Sequence, residues 1–331
     1  MSFPTIYSTL DPAALARHLS KQYALGRCSC QLLLRGVGDT YLVEAASGKS
    51  ILRVYRNTHR TLEHIRAEVE LLLALKEAGV SVSYPLVDRA GNAIQTFDAA
   101  EGARHAVLLS FAAGESIMKF SDAQLRGLGR EMARFHMTSS SVTLHHRRWS
   151  LTLDTLFTDP IEKAKPYLTS LPDELTWWLH AIEKAREELN NFSADGFAVG
   201  YCHYDFLPKN FHFAGDQITL FDFDFFAHGW LVNDLMTFWT QLCLDVQFNR
   251  MTRTEADRSF SLLLDAYQMT RPISREELRA IPALSVGWWC FYMGFHTTHD
   301  QFTALVQPAH LKMRTALIRQ LTEKSYESFR F

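Results

Sequence analysis

The sequence of 331 residues lacks the features of secreted and membrane-spanning proteins. It has only five cysteines, at scattered positions, which excludes a disulfide scaffold and predicts reduced thiols. Its most apolar stretch, from Val286 to Phe295, is about half the length of a membrane span. The N-terminal segment MSFPTIYSTL lacks the basic region and the apolar core of a signal peptide. We therefore expect a cytoplasmic protein.

An excess of charge of one sign is also missing. The 34 basic residues stand against 36 acidic ones, for a formal net charge of −2. No global field would therefore attract nucleic acid or an anionic membrane, and we expect neither as a partner. With 47% hydrophobic and 21% charged residues, the composition is that of a globular protein of one large or two ordinary domains. The sequence does not indicate an oligomeric state.

Two regions with different patterns follow one another along the chain. The pattern in the first third predicts one helix, at residues 61–78. It also predicts several short antiparallel strands, at residues 31–35, 40–44, 50–55 and 104–110. From Ser121, which opens a capping box, the pattern is helical, with Pro160, Pro166 and Pro172 breaking one stretch and a single hairpin embedded after residue 201. We predict an α+β fold with a small β-rich lobe at residues 1–112, a larger helical lobe at 113–331, and a ligand cleft between them.

One group of polar residues has the composition and spacing of a functional site. His203-Tyr-Asp205-Phe-Leu-Pro-Lys-Asn210 is followed by two apolar runs about a Gly-Asp turn, and then by Asp222-Phe-Asp224. Folding the chain about that turn brings Asn210 opposite Asp222, with Asp205 one short loop upstream. Carboxylates so placed raise each other's pKa unless a cation lies among them, and oxygen ligands favour Mg²⁺. The alternative is that these residues belong to ordinary solvated turns.

The pattern H-x-D-x₄-N followed by D-F-D resembles the phosphotransferase family of aminoglycoside kinases, choline kinases and homoserine-kinase-like enzymes. These enzymes share the bilobal fold of eukaryotic protein kinases. The resemblance implies that Asp205 accepts the proton of the acceptor hydroxyl, and that Asn210 and Asp222 hold Mg²⁺ on the phosphates of ATP. Asp224 would be a second acid, with a metal-binding or a structural role. A small molecule with a hydroxyl group, like homoserine, choline or an aminoglycoside, would be the acceptor.

The same resemblance gives two further residues supporting roles. His203 corresponds to the structural histidine of the catalytic loop. Asp234 corresponds to an aspartate that braces this loop, and the alternative is a plain helix N-cap.

The N-terminal region departs from the protein kinases. Arg53 stands on the third strand where they carry a phosphate-binding lysine, and arginine keeps the charge. On the following helix Glu68 falls beside the apolar stripe, whereas Glu70 points the other way. A buried carboxylate needs a partner, and Arg53 is the candidate; alternatively, Glu68 is exposed at the edge of the stripe. Gly36 and Gly38 lie in the hairpin that would cover the triphosphate, or they only make a turn.

Other functions stay open at this stage. A metal-dependent phosphohydrolase could use His203, Asp205, His212 and Asp222, and the substitution of lysine by arginine could mark a non-catalytic pseudokinase. The pair His296 and His299 could bind zinc, although a structural pair is the simpler interpretation. The aromatic C-terminal helices could cage a cationic acceptor or simply pack a core.

Overall fold

The computed structural model describes residues 3–192 and 196–328, with the side chains of the last helix described to residue 324. The nine named strands are β1 Cys28–Arg35, β2 Asp39–Ala45, β3 Gly48–Val54, β4 Ile94–Ala99, β5 Gly102–Ser110, β6 Val199–Cys202, β7 Phe211–Ala214, β8 Gln217–Leu220 and β9 Ala227–Trp230. The α-helices in the described residues are α1 Pro12–Gln22, α2 Leu62–Glu77, α3 Asp122–Ser139, α4 Asp159–Leu168, α5 Pro172–Asn190, α6 Val232–Gln247, α7 Arg253–Gln268, α8 Arg275–Arg279, α9 Ile281–Phe295 and α10 Pro308–Ser328.

The described chain divides into two compact units. The first comprises the residues up to Glu115 and the short segments Val142–Arg148 and Thr219–Phe221. The second comprises Ser116–Ser141, Trp149–Ile218 and the residues from Asp222 onward. The domain boundary that the sequence predicts between residues 112 and 113 stays a prediction.

The first unit is built on an antiparallel sheet of five strands in the order β1-β2-β3-β5-β4, so that β3 is central. Its strands correspond to the four segments predicted from short β-branched or aliphatic runs, with ends that differ by up to three residues. Helix α2 is also confirmed, with Thr61 as its N-cap. The prediction of a β-rich N-terminal region is therefore confirmed.

The prediction of a single helix in the first third of the chain is wrong, because α1 precedes the sheet. Only Leu15 and Leu19 of α1 are buried, and they join a core cluster with Tyr41 and Val43 of β2. Two buried residues give too weak a periodicity to predict a helix. Strand β4 was also not predicted, since it lies at the edge of the sheet.

The second unit is mainly helical, as predicted. Helix α3 begins with the expected capping box of Ser121 and Gln124. Pro160 and Pro172 stand in the first turns of α4 and α5, where proline needs no donor. The prediction that Pro166 breaks the helix is wrong, because it lies inside α4 near the C-terminal end. The helix continues only two residues past Pro166, to Leu168.

The hairpin β7–β8 is confirmed, and β6 pairs with β9 in a second two-stranded sheet. Trp239, Trp288 and Phe291 are buried, so these aromatic side chains pack a core rather than form an exposed cage. All five cysteines are free thiols, and burial raises the pKa of the Cys30 thiol to about 12. None of the helices in residues 3–192 and 196–328 combines the length and apolar character needed to cross a membrane.

Candidate active site

The loop from His203 to Asn210 connects β6 to β7 in a tight turn. The Leu207 amide donates to the Asp205 carbonyl at 2.8 Å, and the Asn210 amide donates to the Leu207 carbonyl at 2.8 Å. Tyr204 has φ of 63°, in the left-handed region, which costs about 1–2 kcal/mol for a residue with a Cβ atom. Strained backbone of this kind concentrates at functional sites, so the loop has the character of an active-site segment.

Asp205 is 2% exposed, and three side chains donate to its carboxylate. The Tyr292 hydroxyl donates to Oδ1 at 2.7 Å, the Asn210 amide donates to Oδ2 at 2.7 Å, and the Lys209 ammonium lies 2.9 Å from Oδ2. The carboxylate oxygens have further lone pairs that can accept a hydrogen bond from another donor. The carboxylate is therefore fixed in orientation and retains the capacity to accept a hydrogen bond from an alcohol.

Tyr292 and Lys209 keep their protons in this environment. Burial and the Asp205 carboxylate raise the pKa of the Tyr292 phenol well above its usual range. For the Lys209 amine, burial lowers the pKa, but the attraction of Asp205 and Asp222 and the hydrogen bond to Asp205 together outweigh burial, so the net pKa is raised. Both side chains are therefore donors to Asp205, and neither can serve as the base.

Asp234 connects the loop to two helices. From the first turn of α6, its carboxylate accepts the backbone N–H groups of His203 and Tyr204 at 2.8 and 2.7 Å. The same carboxylate accepts the imidazole N–H of His136 of α3 at 2.9 Å. The alternative of a plain N-cap is wrong, because Leu231 occupies the N-cap of α6. These are the contacts that a bracing residue needs.

His203 makes contacts within the loop and with the segment after β8. Its Nδ1 atom accepts the backbone N–H of Asp205 at 3.3 Å, and its ring lies 4.4 Å from that of Phe223. A neutral ring that accepts this hydrogen bond orients the Asp205 backbone. The structural role implied for His203 fits these contacts.

Asp222 follows β8 in the left-handed region, with φ of 63° and ψ of 59°. Its charge raises the pKa values of both Lys209 and Tyr292, as that of Asp205 does. The two carboxylates therefore act on the same side chains. Asp224, which is buried, lies in the short 3₁₀ turn that begins after Asp222, and its role stays a prediction.

The oxygen atoms that Asn210 and Asp222 could offer to a metal ion suit Mg²⁺ better than zinc. The Asn210 amide nitrogen donates to Asp205, which leaves the Asn210 Oδ1 oxygen as the atom able to bind a cation. In the described residues no group of three His, Cys, Asp or Glu side chains converges as a metal site. Mg²⁺ does not require such a group, because it is usually bound by one or two carboxylates together with substrate phosphates and water. The binding of Mg²⁺ by Asn210 and Asp222 stays a prediction.

In the described part of the chain, neither the set His203, Asp205, His212 and Asp222 nor the pair His296 and His299 belongs to a cluster of three or more His, Cys, Asp or Glu side chains that could hold a metal ion.

In the first unit, Glu68 is 2% exposed, so the alternative of an exposed carboxylate is wrong. Glu70 points elsewhere, as predicted, and accepts the backbone N–H of His145 at 3.0 Å. Arg53 lies on the central strand β3, and its guanidinium carbon is 5.4 Å from the centre of the Tyr55 ring. The ion pair of Arg53 with Glu68 stays a prediction.

Local structure explains why glycine occupies positions 36 and 38 in the first hairpin. A Cβ atom on Gly38 would lie 2.9 Å from the Val54 carbonyl oxygen, closer than packed atoms approach. The Gly36 amide donates to the Gly38 carbonyl at 3.0 Å and closes the turn. Their contact with nucleotide phosphates stays a prediction.

Sequence reasoning missed three residues of this site, namely Tyr292, Lys209 and His136. Tyr292 is 87 positions from Asp205, and His136 is 98 positions from Asp234, so no local pattern connects them. Lys209 could have been found, since it lies within the loop four residues after Asp205.

Comparison with known proteins gives the family of this site. The model of the phosphotransferase enzyme family matches residues 29–272, which include all of β1 except Cys28, all of β2 to β9, and the loop with Asp205. The chain belongs to the phosphotransferase enzyme family. The prediction of an alcohol-directed small-molecule phosphotransferase is confirmed at this level. Within the family, the chain is 27% identical over 290 residues to homoserine kinase of Rhizobium etli, covering 85% of this chain and 84% of that protein.

Two solved structures of small-molecule kinases show the same fold. Amicoumacin kinase in complex with AMP-PNP, Ca²⁺ and Ami has a TM-score of 0.77 at 18% identity, over 96% of this chain and 94% of that one. The microcompartment-associated aminopropanol kinase has a TM-score of 0.75 at 21% identity, over 96% of this chain and 99% of that one. The predicted kinase-like fold is therefore confirmed.

Proposed function

We propose that this phosphotransferase moves the γ-phosphoryl group of ATP to the hydroxyl of a small molecule, in a reaction that requires Mg²⁺. The observation that carries the proposal is the buried carboxylate of Asp205, held by Tyr292, Asn210 and Lys209. Homoserine-, choline- and aminoglycoside-like alcohols are the candidate acceptors. The AMP-PNP and Ca²⁺ bound to amicoumacin kinase support a nucleotide and a divalent cation as cofactors.

Asp205 has the central role in this mechanism. Its carboxylate accepts a hydrogen bond from the acceptor hydroxyl, orients the oxygen for in-line attack and takes up the proton as the new bond to phosphorus forms. Tyr292 and Asn210 hold the carboxylate in one orientation, so that little reorganisation is needed at the moment of reaction. Lys209 places a positive charge beside the reacting oxygens and offsets the negative charge of Asp205.

Asn210 and Asp222 would hold Mg²⁺, which when bound neutralises charge on the nucleotide phosphates. The Oδ1 atom of Asn210 and the carboxylate of Asp222 supply the oxygen ligands that this ion prefers. In the first unit, Arg53 would bind nucleotide phosphate, with Glu68 as its ion-pair partner and Gly36 and Gly38 in the loop over the phosphates.

Thermal denaturation tests the nucleotide requirement. We expect ATP with Mg²⁺ to raise the melting temperature, since a ligand at a hundredfold excess over its Kd stabilises a protein by about 2.7 kcal/mol. ATP without a divalent cation should stabilise much less. If neither ATP nor GTP with Mg²⁺ raises the melting temperature, the proposed function fails. Binding without phosphoryl transfer to any alcohol would instead favour the pseudokinase.

A further inference from the structure

A second polar cluster lies beside Tyr292. His296 follows the last residue of α9, one helical turn after Tyr292, and its ring lies 5.8 Å from the Tyr292 ring. The Arg314 guanidinium of α10 lies 2.7 Å from Nδ1 of His296. Guanidinium groups only donate, so Nδ1 accepts this bond and the proton of a neutral imidazole lies on Nε2. Burial, Arg314 and Lys209 lower the pKa of the His296 imidazole to about 3, which agrees with a neutral ring.

Among the described side chains, Arg314 carries a positive charge without a matching carboxylate. It is half-buried, and no described Asp or Glu oxygen lies within 4 Å of it. The hydrogen bond to the neutral His296 does not offset its charge. Burial lowers the pKa of the Arg314 guanidinium to about 10, an effect that a neighbouring carboxylate would oppose. A cation in such a place is costly unless an anion binds to it.

The cluster is connected to the catalytic carboxylate. Tyr292 donates to Asp205 and packs against His296, which in turn accepts from Arg314. Lys209 contacts Asp205 and acts on the pKa of His296. The contacts therefore run without a gap from Asp205 through Tyr292 and His296 to Arg314, within the second unit.

We propose that the acceptor alcohol carries a carboxylate, which Arg314 binds through its guanidinium group. The inference rests on the proposed function and specifies its substrate class as hydroxy acids, including hydroxy amino acids. His296 is a positioning residue that holds the guanidinium. One permanent positive charge next to a neutral imidazole matches a singly charged carboxylate better than a doubly charged phosphate, and the planar fork of arginine suits two carboxylate oxygens.

Three related alcohols separate the contributions of the carboxylate and the amine. L-homoserine carries both groups, 4-hydroxybutyrate carries only the carboxylate, and 3-aminopropan-1-ol carries only the amine. Binding is measured by calorimetry and phosphoryl transfer by ADP release, with the full chain. We expect homoserine and 4-hydroxybutyrate to bind at least about 10-fold more tightly than 3-aminopropan-1-ol, as a charge-assisted hydrogen bond allows.

Substitution of Arg314 assigns the effect to this side chain. Arg314→Gln should weaken binding of the two carboxylates about 10- to 100-fold and leave 3-aminopropan-1-ol unchanged. Arg314→Lys, which keeps the charge but loses the fork, should show an intermediate loss. Lys312→Gln removes an exposed positive charge from the same helix and should have no effect. Melting temperatures of all variants control for folding.

Two results would overturn the inference. One is tighter binding of 3-aminopropan-1-ol than of both carboxylates by the wild-type chain. The other is an unchanged affinity for the carboxylates in folded Arg314→Gln. Binding of ATP with Mg²⁺, measured on the same samples, tests the proposed function separately, because a chain that binds ATP and prefers the amine refutes only the acceptor class.

Discussion

At the scale of single residues, the chemistry depends on how Asp205 is held. A carboxylate with three donors and 2% exposure has one orientation, and removing any donor should change the rate more than the stability. Asn210 has a second role in the proposed metal site, and Lys209 adds charge. Tyr292 contributes only its hydroxyl, so it gives the cleanest test of orientation.

Tyr292→Phe removes that hydroxyl and keeps the ring. We expect kcat to fall about 10- to 100-fold, because a hydrogen bond to a charged group contributes about 1.5–3 kcal/mol. KM for ATP should stay the same. Steady-state kinetics with the acceptor found by screening measures this, and Tyr167→Phe at a half-exposed position serves as the control. An unchanged kcat would show that Tyr292 does not position Asp205.

The predicted pair of Arg53 and Glu68 is tested by a double-mutant cycle. Arg53→Ala should weaken the binding of ATP, and Glu68→Gln should weaken it less, because only arginine would contact phosphate. For contacting residues we expect a coupling of about 0.5–3 kcal/mol. Additive effects of the two substitutions on ATP binding and on stability would show that Arg53 and Glu68 do not form an ion pair.

At the scale of secondary-structure elements, the loop from His203 to Asn210 is held from outside by α3 and α6. Asp234 accepts two backbone N–H groups of the loop and the imidazole of His136, and the Tyr267 hydroxyl of α7 lies 2.8 Å from the other nitrogen of His136. Burial lowers the pKa of His136, so its ring is a neutral bridge. The loop geometry therefore depends on the packing of three helices.

Asp234→Ala should destabilise the fold by about 3–5 kcal/mol, since it leaves several buried donors without an acceptor. Urea denaturation measures the loss. Asp257→Ala on α7, which removes an exposed ion pair with Arg253, should cost less than about 1 kcal/mol. Similar losses for the two variants would contradict the bracing role.

Two glycines of α3 give a matched test of helix packing. A Cβ atom at Gly129 would collide with the Leu263 carbonyl oxygen of α7, whereas one at Gly127 would lie 3.3 Å from a methyl group of Ile218. We expect Gly129→Ala to destabilise the fold by about 1–3 kcal/mol or more. Gly127→Ala should be near neutral or stabilising, since alanine gains about 1 kcal/mol of helix propensity. Thermal denaturation of the two variants measures the difference. A lower melting temperature for Gly127→Ala than for Gly129→Ala would contradict close packing of α3 on α7.

Elements with strong local signals could be predicted from the sequence. The apolar period of α2, the capping box at Ser121 and the apolar run of β2 predict the right helices and strand. Helix α1 is missed because only two of its residues are buried, and strands β6 and β9 are missed because they are short and pair with each other across a long stretch of the chain. Pro166 misleads the prediction, because α4 continues past it to Leu168.

At the scale of the whole molecule, the sequence predicted the family and the loop, because their residues are close together along the chain. It could not predict the environment of that loop. Tyr292 comes from α9, His296 follows that helix, and Arg314 comes from α10; they approach Asp205 or one another only in the folded structure. The proposed acceptor class depends on these distant residues, so the motif alone leaves it open.

The central claim is that Asp205 acts on the acceptor hydroxyl while Asp222 holds the cation on the nucleotide. Comparing Asp205→Asn with Asp222→Asn tests it most directly. We expect Asp205→Asn to bind ATP with Mg²⁺ like the wild type and to lose about 10²–10⁴-fold in kcat, whereas Asp222→Asn should lose both binding and turnover. Melting temperatures confirm folding. Near wild-type phosphoryl transfer by folded Asp205→Asn would contradict the account.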